Sequence, residues 1–543
     1  MTSSGALLAI TLAVPLVMLA ACVSQRLRNY VPALLAFAPL PAVAAALNEF
    51  GGTTLVLPRA LLGLTFVLDR SGAMLLGASA LLWIAAGAYA TVSLRGRPDS
   101  GRFTVWWLMT LTGSLGIFIA ADLMSFYLFF TLVSLAAYGL VVFDGTADAR
   151  RAGAVYIALA VLGEALLLMS FVLLAAISPN GSMLISDAVG ALATSPWRNA
   201  RLAFLILGFG LKIGLVPMHV WMPLTYTAAP IPAAAVLSGA AVKAGIVFIR
   251  FLPFEPAGPD WGMGFAAAGF FSAFYGVAIG ITQSNPKTVL AYSSVSQMGL
   301  LAAVIGTGLA VGNTSVATPA IFYAVHHTLV KGGLFLAVGV GALTRARRLW
   351  LVMLPAAVIA LGLGGLPLTG GALAKLAIKG SLGEGVEGTL ATLSSIASTV
   401  LMFHFLRRLR SSAPQDADAS APTGLVLAWL AIAFAAVVLP WALYPRIVGG
   451  SLHDALGLKE LWSALWPVLI GGLLSVGLGR FGDRLPQIPA GDVLALAESA
   501  LPAGRNLAAA TEGFDRRLRE WPVASLLLLA LTIVLVGAMF AGR

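Results

Sequence analysis

The sequence predicts an all-α polytopic membrane protein with about 14–16 transmembrane helices. Of its 543 residues, 59% are hydrophobic and only 10% are charged, which is too little charge to keep the surface of a soluble domain in water. The apolar residues fall in blocks of about 17–25, the length that crosses roughly 30 Å of hydrocarbon. Because backbone groups in lipid must be satisfied within their own segment, blocks of this length predict helices.

The apolar blocks are separated by short polar loops and divide the chain into sixteen predicted spans. Their approximate limits are 4–22, 30–47, 71–93, 103–121, 123–143, 152–177, 202–222, 229–252, 263–283, 289–311, 316–342, 350–370, 385–406, 423–443, 460–479 and 522–541. A further apolar stretch, 55–68, is interrupted by Pro58 and Arg59. We expect this stretch either to lengthen the third span or to lie at the membrane interface.

The spans group into six predicted regions. They are the N-terminal helices in 1–102, a first five-helix repeat in 103–252, a second in 263–410, C-terminal helices in 411–483, a cytoplasmic amphipathic connector in 484–521 and a last transmembrane helix in 522–543. The connector mixes acidic residues and arginine with leucine, alanine and proline, and its second half has helical spacing, so we expect it to lie on the membrane or along neighbouring helices.

The basic residues behind the net charge of +11 lie mostly in the loops between the spans. With the N-terminus in the periplasm of a bacterial cell, the loops on the cytoplasmic side of the inner membrane carry Arg26, Arg28, Arg95, Arg97, Arg102, Arg150, Arg151, Lys287, Arg345, Arg347, Arg348, Arg407, Arg408, Arg410, Arg480 and Arg484. The opposite loops are acidic and have few cations. This alternation obeys the positive-inside rule, so membrane topology explains the basic composition better than nucleic-acid binding does. The first block lacks a basic n-region, so we expect a retained helix rather than a signal peptide.

Six ionisable side chains are predicted to lie deep within spans: Glu164, Lys212, Lys243, His327, Lys331 and Lys375. A charge near the bilayer centre costs at least about 2.5–3.5 kcal/mol, so each of them needs a reason. Burial brings the pKa of a lysine down toward neutrality, a nearby carboxylate opposes that shift, and histidine titrates near neutrality unaided. Basic groups at similar depth in successive helices therefore predict a proton relay.

Three of these residues also have a purely structural explanation. Lys375 can extend its ammonium to the headgroups, His327 can be a hydrogen-bonded packing residue, and Glu164 can form a static salt bridge with a lysine. The whole set favours transport, because His327 and Lys331 are one turn apart on one helix face, and several other members recur at similar depth.

Two of the spans are predicted to be broken by a proline. Pro217 interrupts the seventh span and Pro367 the twelfth, and each removes a backbone donor at membrane depth. The two helices are five spans apart and therefore run in opposite directions. This pattern predicts two inverted five-helix repeats, spans 4–8 and spans 9–13.

At these residues the sequence resembles the antiporter-like family. That family comprises the large proton-pumping membrane subunits of respiratory complex I, the matching subunits of membrane-bound hydrogenases and the Mrp sodium/proton antiporters. The segments that carry the resemblance are Leu211-Lys-Ile-Gly-Leu-Val-Pro-Met-His-Val-Trp-Met-Pro, Ala229-Pro-Ile-Pro-Ala-Ala-Ala-Val-Leu-Ser-Gly-Ala-Ala-Val-Lys-Ala-Gly, Asn285-Pro-Lys-Thr-Val-Leu-Ala-Tyr-Ser-Ser-Val-Ser-Gln-Met-Gly and His326-His-Thr-Leu-Val-Lys-Gly-Gly-Leu-Phe-Leu. The likeness covers roughly residues 60–410.

The resemblance implies a role for each matching lysine and histidine. Lys212 is similar to the lysine of the first broken helix, and Lys243 to the lysine that joins it to the centre. His327 and Lys331 are similar to central relay residues, and Lys375 to the terminal lysine of the second broken helix.

The sequence departs from the family pattern at two places. The family usually has a glutamate in the fifth span as the partner of the Lys212 position, and here Thr131 stands there. Glu164, one helix later at similar depth, is our candidate replacement. The family's usual acidic residue and histidine after the Trp-Leu-Pro motif are here Leu224 and Tyr226.

The resemblance implies a proton-translocating subunit of a larger membrane redox complex, of the complex I or hydrogenase kind. Two alternatives stay open: a subunit of a cation/proton antiporter or proton-driven bicarbonate-uptake complex, and an inactive scaffold that retains the fold. The chain has one cysteine, Cys22, so it holds no internal disulfide and no iron–sulfur cluster by itself. We expect no cofactor and no metal in this chain, redox chemistry in partner subunits, and protons or small cations as the cargo.

Overall fold

The computed structural model describes residues 3–48, 53–58, 63–192, 195–254, 259–414, 420–481 and 485–495. Residues up to Ile488 form one compact unit, and Pro489 begins a second, of which 489–495 are described. Within these ranges the chain is helical apart from one two-stranded sheet, which confirms the predicted all-α class.

Ten α-helices lie in the described part of the chain up to residue 228. They are α1 (Ser3–Ala21), α2 (Gln25–Arg28), α3 (Leu40–Asn48), α4 (Arg70–Ser93), α5 (Ser100–Ile119), α6 (Leu123–Val141), α7 (Ala147–Ala175), α8 (Ile185–Gly190), α9 (Arg198–Ile213) and α10 (Trp221–Ala228).

Ten further α-helices lie in the rest of the described chain. They are α11 (Ile231–Gly239), α12 (Pro259–Gly280), α13 (Pro286–Ala310), α14 (Ala317–Gly341), α15 (Trp350–Gly364), α16 (Gly370–Leu382), α17 (Val386–Ser411), α18 (Thr423–Ile447), α19 (Leu452–Ala455) and α20 (Leu458–Phe481). Short 3₁₀ helices lie at Val31–Leu34, Pro179–Gly181, Met218–Val220, Thr314–Val316 and Ala346–Arg348, and a longer one at Ala241–Phe251.

Twelve helical segments among the described residues are long and apolar enough to cross a membrane, and Gly5–Ala21 and Trp350–Gly364 are shorter apolar helices. The described spans therefore agree with the polytopic prediction. α13 and α14 are surrounded on all sides, since their apolar windows are wholly buried, and they form the centre of the bundle. The predicted last span, 522–543, and most of the predicted connector, 484–521, lie outside the described residues.

The stretch 55–68 does not lengthen the third span. It contributes to an antiparallel pair, β1 (Thr53–Leu57) and β2 (Leu64–Leu68), in which Thr53 lies opposite Leu68. The Asp122 carboxylate accepts a hydrogen bond from the Thr65 amide at 2.7 Å and also caps α6 through the Ser125 amide. One buried carboxylate thus ties the strand pair to a membrane helix.

The first helix break begins at Gly214, before the proline that predicted it. Gly214 has a φ of 70°, its amide donates to Leu211 O at 3.2 Å, and the Leu215 amide donates to Gly210 O at 2.9 Å. This is the Schellman ending, which needs a left-handed residue that glycine adopts without strain. Pro217 follows because it cannot continue a helix, so glycine ends α9 and proline prevents its resumption.

The second break repeats this ending. Gly365 has a φ of 99°, its amide donates to Gly362 O at 2.9 Å, and the Leu366 amide donates to Leu361 O at 3.1 Å. Pro367 again follows, before α16 begins. Both predicted breaks are present, and both are left-handed glycine ends. The pseudo-two-fold relation between the two repeats stays a prediction.

Candidate functional site

Lys243 and His327 meet at the centre of the bundle. Lys243 Nζ lies 2.8 Å from His327 Nδ1 and also donates to Gly239 O at 3.0 Å. Both side chains are fully buried. Lys243 lies on the 3₁₀ segment Ala241–Phe251, whereas His327 lies on α14, so the contact joins two different spans.

The backbone changes type just before Lys243. α11 ends at Gly239, and the same span continues as eleven residues of 3₁₀ helix. Runs of 3₁₀ longer than three or four residues are uncommon and often mark a functional hinge. The change of helix type alters the direction in which the following side chains project, and it places the Lys243 ammonium beside the α14 histidine.

Lys331 extends the central cluster by one turn of α14. Its Nζ donates to Leu290 O on α13 at 2.9 Å, and the side chain is fully buried. The charges of Lys243, His327 and Lys331 act on one another. No carboxylate forms an ion pair with them within the described ranges. Protonation of such a cluster belongs to the group rather than to one residue.

Lys212 lies in the last turn of α9, immediately before the first break. Its Nζ donates to Ser134 Oγ at 2.7 Å and lies 5.0 Å from the centre of the Phe130 ring. A cation in the last turn of a helix is stabilised by the helix dipole, and the aromatic face adds a further favourable contact. Lys212 is only partly buried, because it lines a small pocket between α6, α7 and α9.

Glu164 turns toward Thr131, where the sequence resemblance predicts an acidic residue. Its Oε2 accepts a hydrogen bond from Thr131 Oγ1 at 2.6 Å. Glu164 as a whole is 6% exposed, and its buried Oε1 has no hydrogen-bond partner among the residues that the structure describes. Glu164 and Lys212 form no direct ion pair in the described part of the chain, although their charges interact.

Each of these two charges contacts a hydroxyl group of α6. Thr131 and Ser134 are one turn apart on α6, and they contact Glu164 and Lys212 respectively. The Ser134 hydroxyl itself donates to Phe130 O at 2.8 Å. Sequence reasoning missed Ser134, and the available signal was its spacing of one turn from Thr131, which puts both hydroxyls on one helix face.

Lys375 reaches back from α16 to the end of the preceding half-helix. Its Nζ donates to Gly364 O at 3.0 Å, a carbonyl left free where α15 ends. Its charge also acts on His326, the residue beside His327 on α14. His326 is 2% exposed and is a second residue that sequence reasoning missed, although it was visible as the first of two adjacent histidines.

A further polar chain crosses from α14 to α17. The Tyr323 hydroxyl donates to Gln297 Oε1, and Gln297 Nε2 donates to Ser398 Oγ at 2.9 Å. All three side chains are buried. Within the described ranges no three His, Cys, Asp or Glu side chains are placed to hold a metal ion.

Comparison with known proteins places this arrangement in a family. Residues 120–402, more than half of the chain, match the family described as NADH:quinone oxidoreductase/Mrp antiporter, transmembrane. The chain belongs to that family. All six predicted site residues lie within the matched range. The resemblance stated from the sequence motifs is thus confirmed, and the chain is a multi-pass membrane protein.

Individual members of the antiporter-like family show the breadth of the likeness. The chain is 33% identical over 306 residues to NADH-quinone oxidoreductase subunit N of Desulforudis audaxviator, covering 53% of this chain and 58% of that protein. It is 28% identical over 294 residues to hydrogenase-4 component B of Escherichia coli, covering 51% and 43% respectively. The chain thus spans about half the length of these relatives.

A solved structure shares the fold. The structure of the Mrp complex from Dietzia sp. DQ12-45-1b contains a chain that superposes on this one with a TM-score of 0.73 and 21% identity. The match covers 100% of this chain and 63% of that one. At this identity the likeness shows the fold.

Proposed function

We propose that the chain is the proton-translocating, antiporter-like subunit of a larger membrane redox complex, of the NADH–quinone oxidoreductase or hydrogenase type. The observation that carries the proposal is the buried contact of 2.8 Å between Lys243 and His327. Burying two basic groups against each other is costly without a carboxylate partner. Side chains that only pack could avoid this cost by being apolar. A proton transfer requires the donor and the acceptor to lie at hydrogen-bond distance, as these two do.

The proposed route runs along the bundle through the two helix breaks. It begins at Lys212 in the first broken helix and passes the central cluster of Lys243, His327 and Lys331. It ends at Lys375 in the second broken helix. Glu164 acts on Lys212 through the hydroxyls of α6, in place of the carboxylate that the family usually has there.

The redox step would belong to partner subunits. The curated relatives are named as a subunit of an NADH–quinone oxidoreductase and as a component of a hydrogenase, and we extend that setting to this chain. We further propose that it spans the bacterial inner membrane with its N-terminus in the periplasm. The support is the alternation of basic and acidic loops.

A second candidate function is cation/proton antiport, or proton-driven bicarbonate uptake, without redox chemistry. One observation favours a cation as the cargo. Oxygens of Glu164, Thr131 and Ser134 lie close together, and Glu164 Oε1 lacks a hydrogen-bond partner among the described residues. Hard cations are bound by oxygen ligands of this kind. The adjacent Lys212 ammonium competes with a bound cation, which is why we rank proton transfer first.

The test is proton movement by the complex that is purified through a tag on this chain and reconstituted in liposomes. An electron donor and a quinone should acidify the vesicle lumen, reported by a pH-sensitive dye, and Lys243→Met should abolish this. Lys459→Met is the matched control, because Lys459 is exposed at the start of α20.

The driving force separates the candidates. Acidification that needs a sodium gradient and no donor would replace the redox proposal by antiport. If Lys243→Met keeps both the donor-driven and the sodium-driven acidification, transport through this lysine is refuted and the scaffold interpretation is supported.

A further inference from the structure

A cleft of about 530 Å³ opens at one face of the bundle, between the segment that follows α1 and the first turn of α5. Its wall is mostly polar and includes two arginines, Arg28 and Arg102, together with Gln25, Asn29 and Ser100. None of the six predicted relay residues lines it. The volume falls within the roughly 300–1,000 Å³ of small-molecule sites, so the cleft can hold a ligand of that size.

Gly101 allows Arg28 to lie directly against the first turn of α5. A Cβ atom at residue 101 would stand 2.5 Å from Arg28 Nε and 3.0 Å from its Cγ, so any other residue here would displace the arginine. Arg28 forms no ion pair with an acidic side chain within the described ranges. A cation beside a helix N-terminus is unfavourable, because the helix dipole is positive at that end. The arrangement therefore leaves two positive features together without an anion between them.

The carboxylate that lines the cleft is already paired. Asp99 is the N-cap of α5, but its side chain makes no capping hydrogen bond. Instead it accepts from Arg97 Nε at 3.0 Å and from Arg97 Nη2 at 3.1 Å, and Arg97 lies outside the cleft lining. Arg102 Nη2 is 3.7 Å from the same carboxylate and donates to Phe143 O at 2.8 Å. With Asp99 paired to Arg97, Arg28 and Arg102 leave the cleft with a net positive charge.

The cleft lies beside an apolar surface that faces outward. Val23, Leu27 and Tyr30, which flank the first cleft arginine in the sequence, are exposed. Leu16 and Val17 are exposed as well, about one turn before α1 ends. Tyrosine is enriched where membrane helices meet the headgroups. A ligand held here would therefore have a charged wall at one end and an apolar surface at the other, which suits an amphipathic molecule.

We propose that the cleft binds the phosphate of an anionic phospholipid in the adjacent leaflet. The groups that hold it are the guanidinium groups of Arg28 and Arg102 and the first turn of α5. Guanidinium binds phosphate oxygens in a bidentate geometry, and the N-terminus of a helix attracts anions. The exposed apolar side chains of α1 would contact the acyl chains. This site is independent of the proposed transport function.

The surroundings favour a lipid over a free phosphate ion, because the cleft opens beside the apolar surface, where burial of acyl chains adds to binding. The headgroup has to be anionic overall, as in phosphatidylglycerol. The ammonium group of a zwitterionic phospholipid would be repelled by the two arginines, since the Asp99 carboxylate is already paired with Arg97. Basic pockets between membrane helices bind anionic headgroups in this way.

Photocrosslinking tests the site on the full complex, purified in detergent through a tag on this chain. The probe is phosphatidylglycerol with a diazirine in one acyl chain, added at increasing concentration, and the crosslinked peptides are mapped by mass spectrometry. We expect a saturable crosslink within residues 3–30, which contain α1 and α2. No saturable crosslink in that range would overturn the proposal.

Competition on the native complex identifies the chemistry of the ligand. Unlabelled phosphatidylglycerol should displace the probe, whereas the same concentration of phosphatidylcholine should not. Equal displacement by phosphatidylcholine would show that acyl chains alone drive binding, and would overturn the role of the arginines. Equal displacement by inorganic phosphate would reassign the cleft to a free ion and overturn the lipid.

Arg28→Gln tests the first arginine, and Arg26→Gln is the matched control. Both residues are exposed on α2, but only Arg28 lines the cleft. Arg28→Gln should weaken probe binding at least about tenfold, the factor equivalent to the roughly 1.5 kcal/mol at the lower end for a charged hydrogen bond. Arg26→Gln should weaken it at most about fivefold, since a basic residue near an anionic surface contributes about 1 kcal/mol. Equal losses would reduce the effect to general surface charge and overturn the site.

Gly101→Ala is a second variant that keeps every charge and displaces Arg28. It should weaken probe binding in the same direction as Arg28→Gln. Gly190→Ala is its control, because Gly190 lies in open space on α8. Native affinity in Gly101→Ala would contradict the placement of Arg28 against the first turn of α5.

Discussion

Replacement of His327 by alanine removes one side of the contact at the centre of the proposed relay. Lys243 Nζ would keep Gly239 O at 3.0 Å but would lose its neighbour at 2.8 Å. Hydrogen bonds that involve a charged group contribute about 1.5–3 kcal/mol, which as a barrier corresponds to about 10- to 150-fold in rate. We expect His327→Ala to slow proton movement by that range if transfer across this contact limits the flux.

The assay is initial proton flux in liposomes, normalised to the amount of assembled complex. His327→Asn is the informative companion, because its side-chain amide can keep an acceptor near the position of Nδ1 but cannot take up a proton. We expect His327→Asn to assemble at the native level while its proton flux stays low. His453→Ala is the control, since His453 is exposed on α19. Flux within about twofold of the native level in His327→Ala, less than 0.5 kcal/mol of barrier, would refute the central role of this histidine.

Three further predictions concern other parts of the bundle. Glu164→Gln should slow proton movement and leave assembly intact, since size and most hydrogen bonding are kept; native flux in vesicles would end the replacement hypothesis. Gly365→Ala should lower the free energy of unfolding of the detergent-solubilised protein by about 1 kcal/mol or more, and with it the melting temperature, because the φ of Gly365 is 99°. Gly380→Ala is the control and should not lower the stability, because Gly380 lies in open space on α16. Equal melting temperatures of Gly365→Ala and the native protein would count against the left-handed break. Asp69 caps α4 and pairs with Arg250 at 2.6 Å. Asp69→Asn keeps the cap and should cost less than Asp69→Ala, for which about 0.5–2 kcal/mol is expected, and an Asn variant as unstable as Ala would contradict this.

The spans followed from the sequence because the bilayer imposes a local requirement. A stretch of helix must be apolar over the whole hydrocarbon thickness, and this is visible without knowing its neighbours. The strand pair in 53–68 did not follow. A short apolar run is consistent with a buried strand or with part of a helix, and periodicity alone does not distinguish them. The pairing of Thr53 with Leu68 depends on a partner strand rather than on either run alone.

The helix breaks were predicted at the right places through an incomplete cause. Proline signals that a helix cannot continue, but the observed ends are set at Gly214 and Gly365 by left-handed backbone. Both glycines are visible in the sequence immediately before the prolines. Glycine is common in membrane helices for packing as well, so the sequence alone does not say which glycine will be left-handed.

The sequence by itself determined properties that belong to one helix: its length, its breaks, its depth-dependent charges and the turn that separates His327 from Lys331. Only the tertiary structure decided which groups meet across helices. It turned Glu164 to Thr131 rather than directly to Lys212, set Lys243 against His327, and left a cavity beside Lys375. The physical reason is that hydropathy depends on the lipid alone, whereas the rotation and tilt of each helix are set by packing against its neighbours.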